Sequence, residues 1–207
     1  MREYPILFNS EMVNAILHGT ANTKAKTQTR RTKGLEEFEM GGDKDYWNYE
    51  GITMHCNSRD HHQFTGISQE RETVCCPYGG IGDRLWIRET FAIKILQPGN
   101  NIISPIEYIY KADYSEDKDR DLIGVTRWKP AIHMPREASR ITLEIMDIRL
   151  ERLQEISDAD AIAEGIVARN YSAKEAYLEL WDSIHGKDAH KLNPFVWVIE
   201  FKRLEAL

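Results

Sequence analysis

Hydrophobic positions along the chain follow two periods, which divide it into strands and helices. Met12, Val13, Ile16 and Leu17 recur at helical spacing, with Ser10 placed as the N-cap and Gly19 as the stop. The stretch Gly82-Asp83-Arg84-Leu85-Trp86-Ile87-Arg88-Glu89 opens on a turn signal and then alternates. It predicts a strand with Leu85 and Ile87 on one face and Trp86 and Arg88 on the other. Residues 106 to 112 predict a second strand. Ile141, Leu143 and Ile145 share a face, but beyond Met146 the apolar set moves to Ile148 and Leu150, so a long strand with a bulge or bend is expected. Ser157 with Asp160, and Ser172 with Glu175, mark two helix starts by the capping box or its aspartate variant. In the second helix Tyr177, Trp181 and Ile184 form a stripe read as core-facing, and Gly186 ends it. The strongly apolar run Phe195-Val196-Trp197-Val198-Ile199-Glu200-Phe201 is a closing strand expected to lie buried in a sheet.

The periodicity lapses over residues 36 to 80, a polar, histidine-rich segment broken by Gly41, Gly42, Gly51, Asn57, Gly66, Gly79 and Gly80. It reads as an insertion or lid. The charged run from residue 115 to 121 reads as a solvated loop. With no internal repeat and no low-complexity linker, residues 1–207 are read as a single domain carrying insertions at 36–80 and 97–127. A chain of 207 residues can bury a core without disulfides or metal.

A formal net charge of -6 argues against indiscriminate coating of duplex DNA, which requires many phosphate-bound cations, but leaves room for one local basic pocket. No apolar run is long enough to cross a bilayer, and the first residues lack the features of a signal peptide; a cytoplasmic protein without a membrane partner is expected, and a monomer. The three cysteines, two of them adjacent at Cys75 and Cys76, fit a reducing compartment. His55, Cys56, His61, His62, Cys75 and Cys76 crowd one segment, yet none falls in C-x-x-C or H-x-x-x-H spacing, so no metal and no cofactor are expected.

Against that background one stretch stands out. Lys26-Thr27-Gln28-Thr29-Arg30-Arg31 packs a hydroxyl, an amine and two guanidinium groups into one turn of backbone. No acidic residue occurs from Met12 to Leu35, whereas Lys24, Lys26, Arg30, Arg31 and Lys33 cluster there, so a positive field that invites an anion is expected.

Gly19 with the run 26 to 31, the strand 82 to 89, the segment Trp128-Lys129-Pro130-Ala131-Ile132-His133-Met134-Pro135, the segment Ala161-Ile162-Ala163-Glu164-Gly165, and the strand 196 to 201 together resemble the ASCH family of the PUA-like superfamily, in its larger phage-encoded form. The resemblance implies an α+β, predominantly β fold, a PUA-like (ASCH) β-barrel with flanking helices, whose cleft takes a nucleoside or RNA. It also implies relation to a bacterial branch that hydrolyses the amide of N(4)-acetylcytidine. In that branch a lysine and a threonine three residues apart follow a glycine-terminated helix and work with a glutamate. Lys26, Thr29 and Glu164 match, and are the expected catalytic residues. The family runs almost directly from glycine to lysine, whereas this chain interposes residues 20 to 25, so Lys24 competes with Lys26.

The chemistry is coherent on residues alone. A threonine hydroxyl is inert without a base, and a lysine serves as that base when burial and like charge strip its proton. Glu164, at the end of a short helix, is placed either as a proton donor under the macrodipole or, within ion-pair reach of Lys26, as its charged partner. Arg30, Arg31, Trp86, Arg88, Glu89 and Trp128 are the candidate substrate-binding residues: guanidinium forks for phosphate or base edges, indoles for stacking, with ion pairing and core packing as their plainer roles. A non-catalytic RNA-binding module and a phage accessory or morphogenetic interaction protein are the alternative functions.

Overall fold

The computed structural model describes residues 1–19, 25–38, 47–56, 59–66, 71–94, 107–114, 125–167 and 172–204. It is a mixed α+β fold dominated by strands: β1 Glu3–Leu7, β2 Gln28–Arg31, β3 Trp47–Cys56, β4 Arg59–Gly66, β5 Arg71–Cys75, β6 Arg84–Arg88, β7 Phe91–Lys94, β8 Glu107–Tyr110, β9 Thr142–Arg152 and β10 Phe195–Leu204. Among the described residues three α-helices accompany them: α1 Ser10–His18, α2 Asp158–Ala163 and α3 Ala173–His185.

The central sheet has five strands in the order β1-β6-β9-β10-β2, with β1 parallel to β6 and the remaining pairs antiparallel. One face carries the main core, where Ile6, Leu85, Ile87, Leu143, Ile145, Trp197 and Ile199 are all buried. β10 is buried on both faces, because Val196 and Val198 turn the other way into a second cluster with Leu153, Ile156, Ala161, Tyr177 and Trp181. That explains a run with almost no polar alternation. The expected irregularity in β9 is a bulge: Glu200 pairs with Asp147 and Phe201 with Ile145, so Met146 is skipped and left half-exposed, while apolar residues on both sides still face inward.

The ladders among the described residues do not close into a barrel; β1 and β2 remain the two edges. A side chain spans the gap instead. The Arg31 guanidinium donates to the carbonyl of Leu7 at 2.8 Å and sits 5.0 Å from the centre of the buried Phe8 ring, so the end of one edge is tied to the other.

Several expectations need correction. The N-cap of α1 is Asn9, not Ser10: its side-chain oxygen accepts from the Met12 amide at 2.8 Å, three residues on, the reach an N-cap acceptor needs. Gly19, at φ 66°, ends the helix as expected. The run from Gln28 to Arg31 is not a turn but an edge strand paired with β10. Within the segment 36 to 80, β3, β4 and β5 form a three-stranded antiparallel sheet of their own. It is not a detached lid, since Val74 and Cys76 pack on the main core and the His62 ring stands edge-on to Trp197 at 4.9 Å. The strand expected at 106 to 112 is β8, paired with β7, and the loop expected at 115 to 121 lies outside the described residues through 120 and on to 124. Both capping boxes are present at Ser157 and Ser172.

Candidate functional site

Four neighbouring backbone segments bring the site together. The amide of Lys26 donates to the carbonyl of Ala15 in α1, and the amide of Thr27 to the carbonyl of Ala163 in α2, while the carbonyl of Thr27 accepts from Phe201 of β10. Gly165 permits the crossing: its φ is +91°, and a Cβ there would lie 3.1 Å from the Ala15 Cβ and 3.5 Å from the Lys26 Cβ. Gly165→Ala is therefore expected to lower stability by about 1–2 kcal/mol or more, read as a drop in the urea midpoint at unchanged slope; an unshifted midpoint would show that the junction yields freely.

Where these segments meet, the Lys26 ammonium is sealed in, with 1% of its side chain exposed. It donates to Glu164 Oε2 at 2.6 Å and to the Glu164 backbone carbonyl at 2.7 Å. Burial pushes the lysine below its ordinary value; the Glu164 carboxylate opposes that, and the Arg31 and Arg30 charges reinforce it. Glu164 is shared, because Arg30 Nη1 approaches its other oxygen at 3.3 Å. Arg30 is itself fully buried and reaches Glu151 at 3.2 Å and Asp160 at 3.6 Å. Arg149 extends the chain of ion pairs outward, bonding Glu151, Glu200 and Asp160. The result is an alternating run of charge from a buried lysine to solvent.

This run borders a cleft open to solvent, lined by Lys26, Thr29, Arg30, Arg31 and Glu164 on one side and by Tyr177, Leu180, Trp181, Ile184 and His185 of α3 on the other, with Met12 also lining it. The ladder explains how neighbours of opposite parity reach one cavity. Thr29 pairs with Ile199 and Arg30 with Val198, so they emerge on opposite faces of β2, and because β2 is an edge, both faces border the same space. The Thr29 hydroxyl is hydrogen-bonded to neither Lys26 nor Glu164, whose bonds are with each other and with Arg30. Tyr177, 5.8 Å beneath the Arg30 guanidinium, is held protonated well above its ordinary range by burial and by the charge of Glu164.

Of the sequence-derived candidates, the structure thus gathers Lys26, Thr29, Glu164, Arg30 and Arg31. Trp86, Arg88, Glu89 and Trp128 do not line the cleft. Trp86 and Arg88 belong to β6, three positions from β2 in the sheet. Glu89 is buried and grips Arg140 through two bonds of 2.9 and 3.0 Å, and so partners neither Arg30 nor Arg31. Trp128 stands 5.9 Å from the Tyr114 ring. Lys24, the competing lysine, lies outside the described residues. Sequence reasoning missed the far wall: the α3 stripe was read as core, and Tyr177 and Trp181 are buried, yet Ile184 is 52% exposed and all three face the cleft. Spacing on a helix reports a shared face, not whether part of that face is left uncovered. Glu151 carried no signal of its own, and Asp160 only that of a helix cap.

Among the described residues no group of three or more histidine, cysteine, aspartate or glutamate residues is arranged to hold a metal ion, and the side chains of His55, Cys56 and His61 lie outside them. Among the same residues no helix is long and apolar enough to cross a membrane. No family model, no curated protein and no solved structure matches the chain.

Proposed function

We propose that the cleft is a hydrolytic site for the acyl amide of an N-acylated nucleoside, with N(4)-acetylcytidine as the reference substrate, on a sheet of PUA-like (ASCH) type whose closure is completed by side chains. The observation that carries the reading is the buried Lys26–Glu164 pair opening on the same cleft as Thr29. A lysine whose ammonium is destabilised by burial, bonded at 2.6 Å to a carboxylate, can exchange its proton with that partner, becoming a neutral amine beside a neutral acid.

In that state the roles divide. Lys26 takes the proton of the Thr29 hydroxyl as its oxygen attacks the acyl carbonyl, and Glu164 gives its proton to the departing nitrogen as the C–N bond breaks. Nucleoside leaves, the acyl group stays on Thr29, and Lys26 and Glu164 are again ammonium and carboxylate. Glu164 then accepts a proton from water attacking the acyl ester, and Lys26 returns one to Thr29, which regenerates the starting pair. Arg31 has N–H groups beyond the one spent on Leu7 for the negative charge of the tetrahedral intermediate. Ile184, half-exposed on the far wall, offers apolar surface to a base.

Incubation with N(4)-acetylcytidine, followed by chromatography, should show cytidine and acetate in equal amounts. The rate should hold level and then fall as pH rises through an ionisation below the ordinary lysine value of 10.5, because the pair then loses the one proton that Lys26 and Glu164 share and that the departing nitrogen needs. A rate still climbing at that value would mean that Lys26 is not the base. Binding of the nucleoside without turnover would favour the alternative, a non-catalytic nucleoside or RNA module using the same cleft.

A further inference from the structure

Trp86, Arg88 and Trp128, which the cleft leaves out, belong to a second surface. The segment Val125–Arg136 runs beside β7, bridging Lys94 at Val125 and Phe91 at Lys129, and reaches β6 where the Arg88 guanidinium bonds the carbonyl of Ile132. Trp86 is half-buried there, its ring centre 5.5 Å from the guanidinium carbon of Arg88 and 5.8 Å from that of Arg136. Farther along the segment, Trp128 is half-buried between the exposed Arg127 and Lys129. No acidic residue occurs from Leu122 to Arg136, in a chain whose net charge is -6. Glu3 occupies Arg136 at 2.9 Å, and Glu137 follows it in sequence, whereas Arg127 and Lys129 make no ion pair among the described residues.

We infer that this face is a docking site for a single-stranded polynucleotide, with phosphates on Arg88, Arg127 and Lys129 and bases against Trp86 and Trp128. The combination selects the ligand. Cations alone would suit any polyanion, but indoles set among them reward exposed base faces, which a duplex hides in its stack. A net-acidic protein with few local cations also suits a strand making few phosphate contacts better than a duplex, whose charge density repels the rest of the surface. The inference stands apart from hydrolysis in the cleft, since none of these residues lines it.

Fluorescence anisotropy with the full chain and a labelled mixed-sequence RNA of roughly 12 nucleotides, with the same sequence as single-stranded DNA and as duplex, tests it at about 50 and about 200 mM salt. Saturable binding of one or both single strands is expected, with the RNA-to-DNA ratio reporting whether the 2′-hydroxyl is read. Trp128→Ala should weaken it about tenfold. The double variant Arg127→Ala, Lys129→Ala should weaken it similarly and flatten the logarithmic salt slope by about 1.4, at unchanged thermal midpoint. Excess N(4)-acetylcytidine should leave the strand bound. The proposal is overturned if neither strand binds, if the duplex binds as tightly, if these substitutions leave affinity unchanged, or if the nucleoside displaces the strand and so locates it in the cleft.

Discussion

Thr29→Val is expected to cut release of cytidine from N(4)-acetylcytidine by about 10³-fold or more while moving the unfolding free energy by no more than about 1 kcal/mol. The two halves follow from one fact. The Thr29 hydroxyl bonds neither Lys26 nor Glu164, so a methyl of similar shape strands neither of those buried groups, yet the proposed nucleophile is gone. A residual rate within tenfold of the parent would remove Thr29 from the mechanism, leaving Lys26 to activate water directly. Lys26→Met should match the loss in rate, because without the base the hydroxyl stays protonated. Its stability should change less than the burial of the lysine suggests, since Glu164 keeps Arg30 as partner at 3.3 Å.

Removing the carboxylate is the reverse case. Glu164→Ala leaves the Lys26 ammonium sealed from solvent with only a backbone carbonyl and deprives Arg30 of one acceptor. A loss of about 3–5 kcal/mol is expected, a fall of roughly 10 °C in thermal midpoint for a chain of this size. The sign of the pH response then identifies the cause. The folded-state value of Lys26 lies below 10.5 and loses its opposing influence when Glu164 is gone, so it falls further. Between that value and 10.5 the unfolded chain holds more protons than the folded one, and stability climbs with pH across the window; below it, the penalty is complete. Glu164→Ala should accordingly regain part of its lost stability on going from neutral to mildly alkaline pH. If the deficit stayed constant over that range, a void rather than an uncompensated charge would account for it.

Much of this was legible in the sequence wherever a local rule fixes a local outcome. Ser157 and Ser172 announce α2 and α3 because a capping side chain needs only residues within a turn. Met146 announces the bulge because period-two patterning must slip where a residue is added. Lys26, Thr29 and Glu164 were found together through the resemblance, and no periodicity would have placed residues 138 positions apart in contact. What stayed hidden depends on register. Which way Arg30 faces is decided by its pairing with Val198, and that pairing directs it to Glu151, Asp160 and Glu164 rather than to the cleft mouth. Glu89 was drawn to Arg140 by the same kind of tertiary accident, invisible in a run that reads only as strand followed by acid. The sheet within 36–80 was obscured because glycines and histidines interrupt the alternation by which a strand is recognised.

The tie from Arg31 to Leu7 makes one guanidinium answerable to two masters. As a latch it holds the open edges of the sheet together; as a cation beside the cleft it is available to an incoming anion. A bound negative charge that drew it inward would release the Leu7 carbonyl and slacken the seam between β1 and β2, so occupancy of the cavity and tightness of the fold are coupled through a single side chain. Ligand would then loosen the scaffold locally even as it stabilised the protein by mass action, and amides along β1 and β2 would exchange faster in the complex than in the free protein.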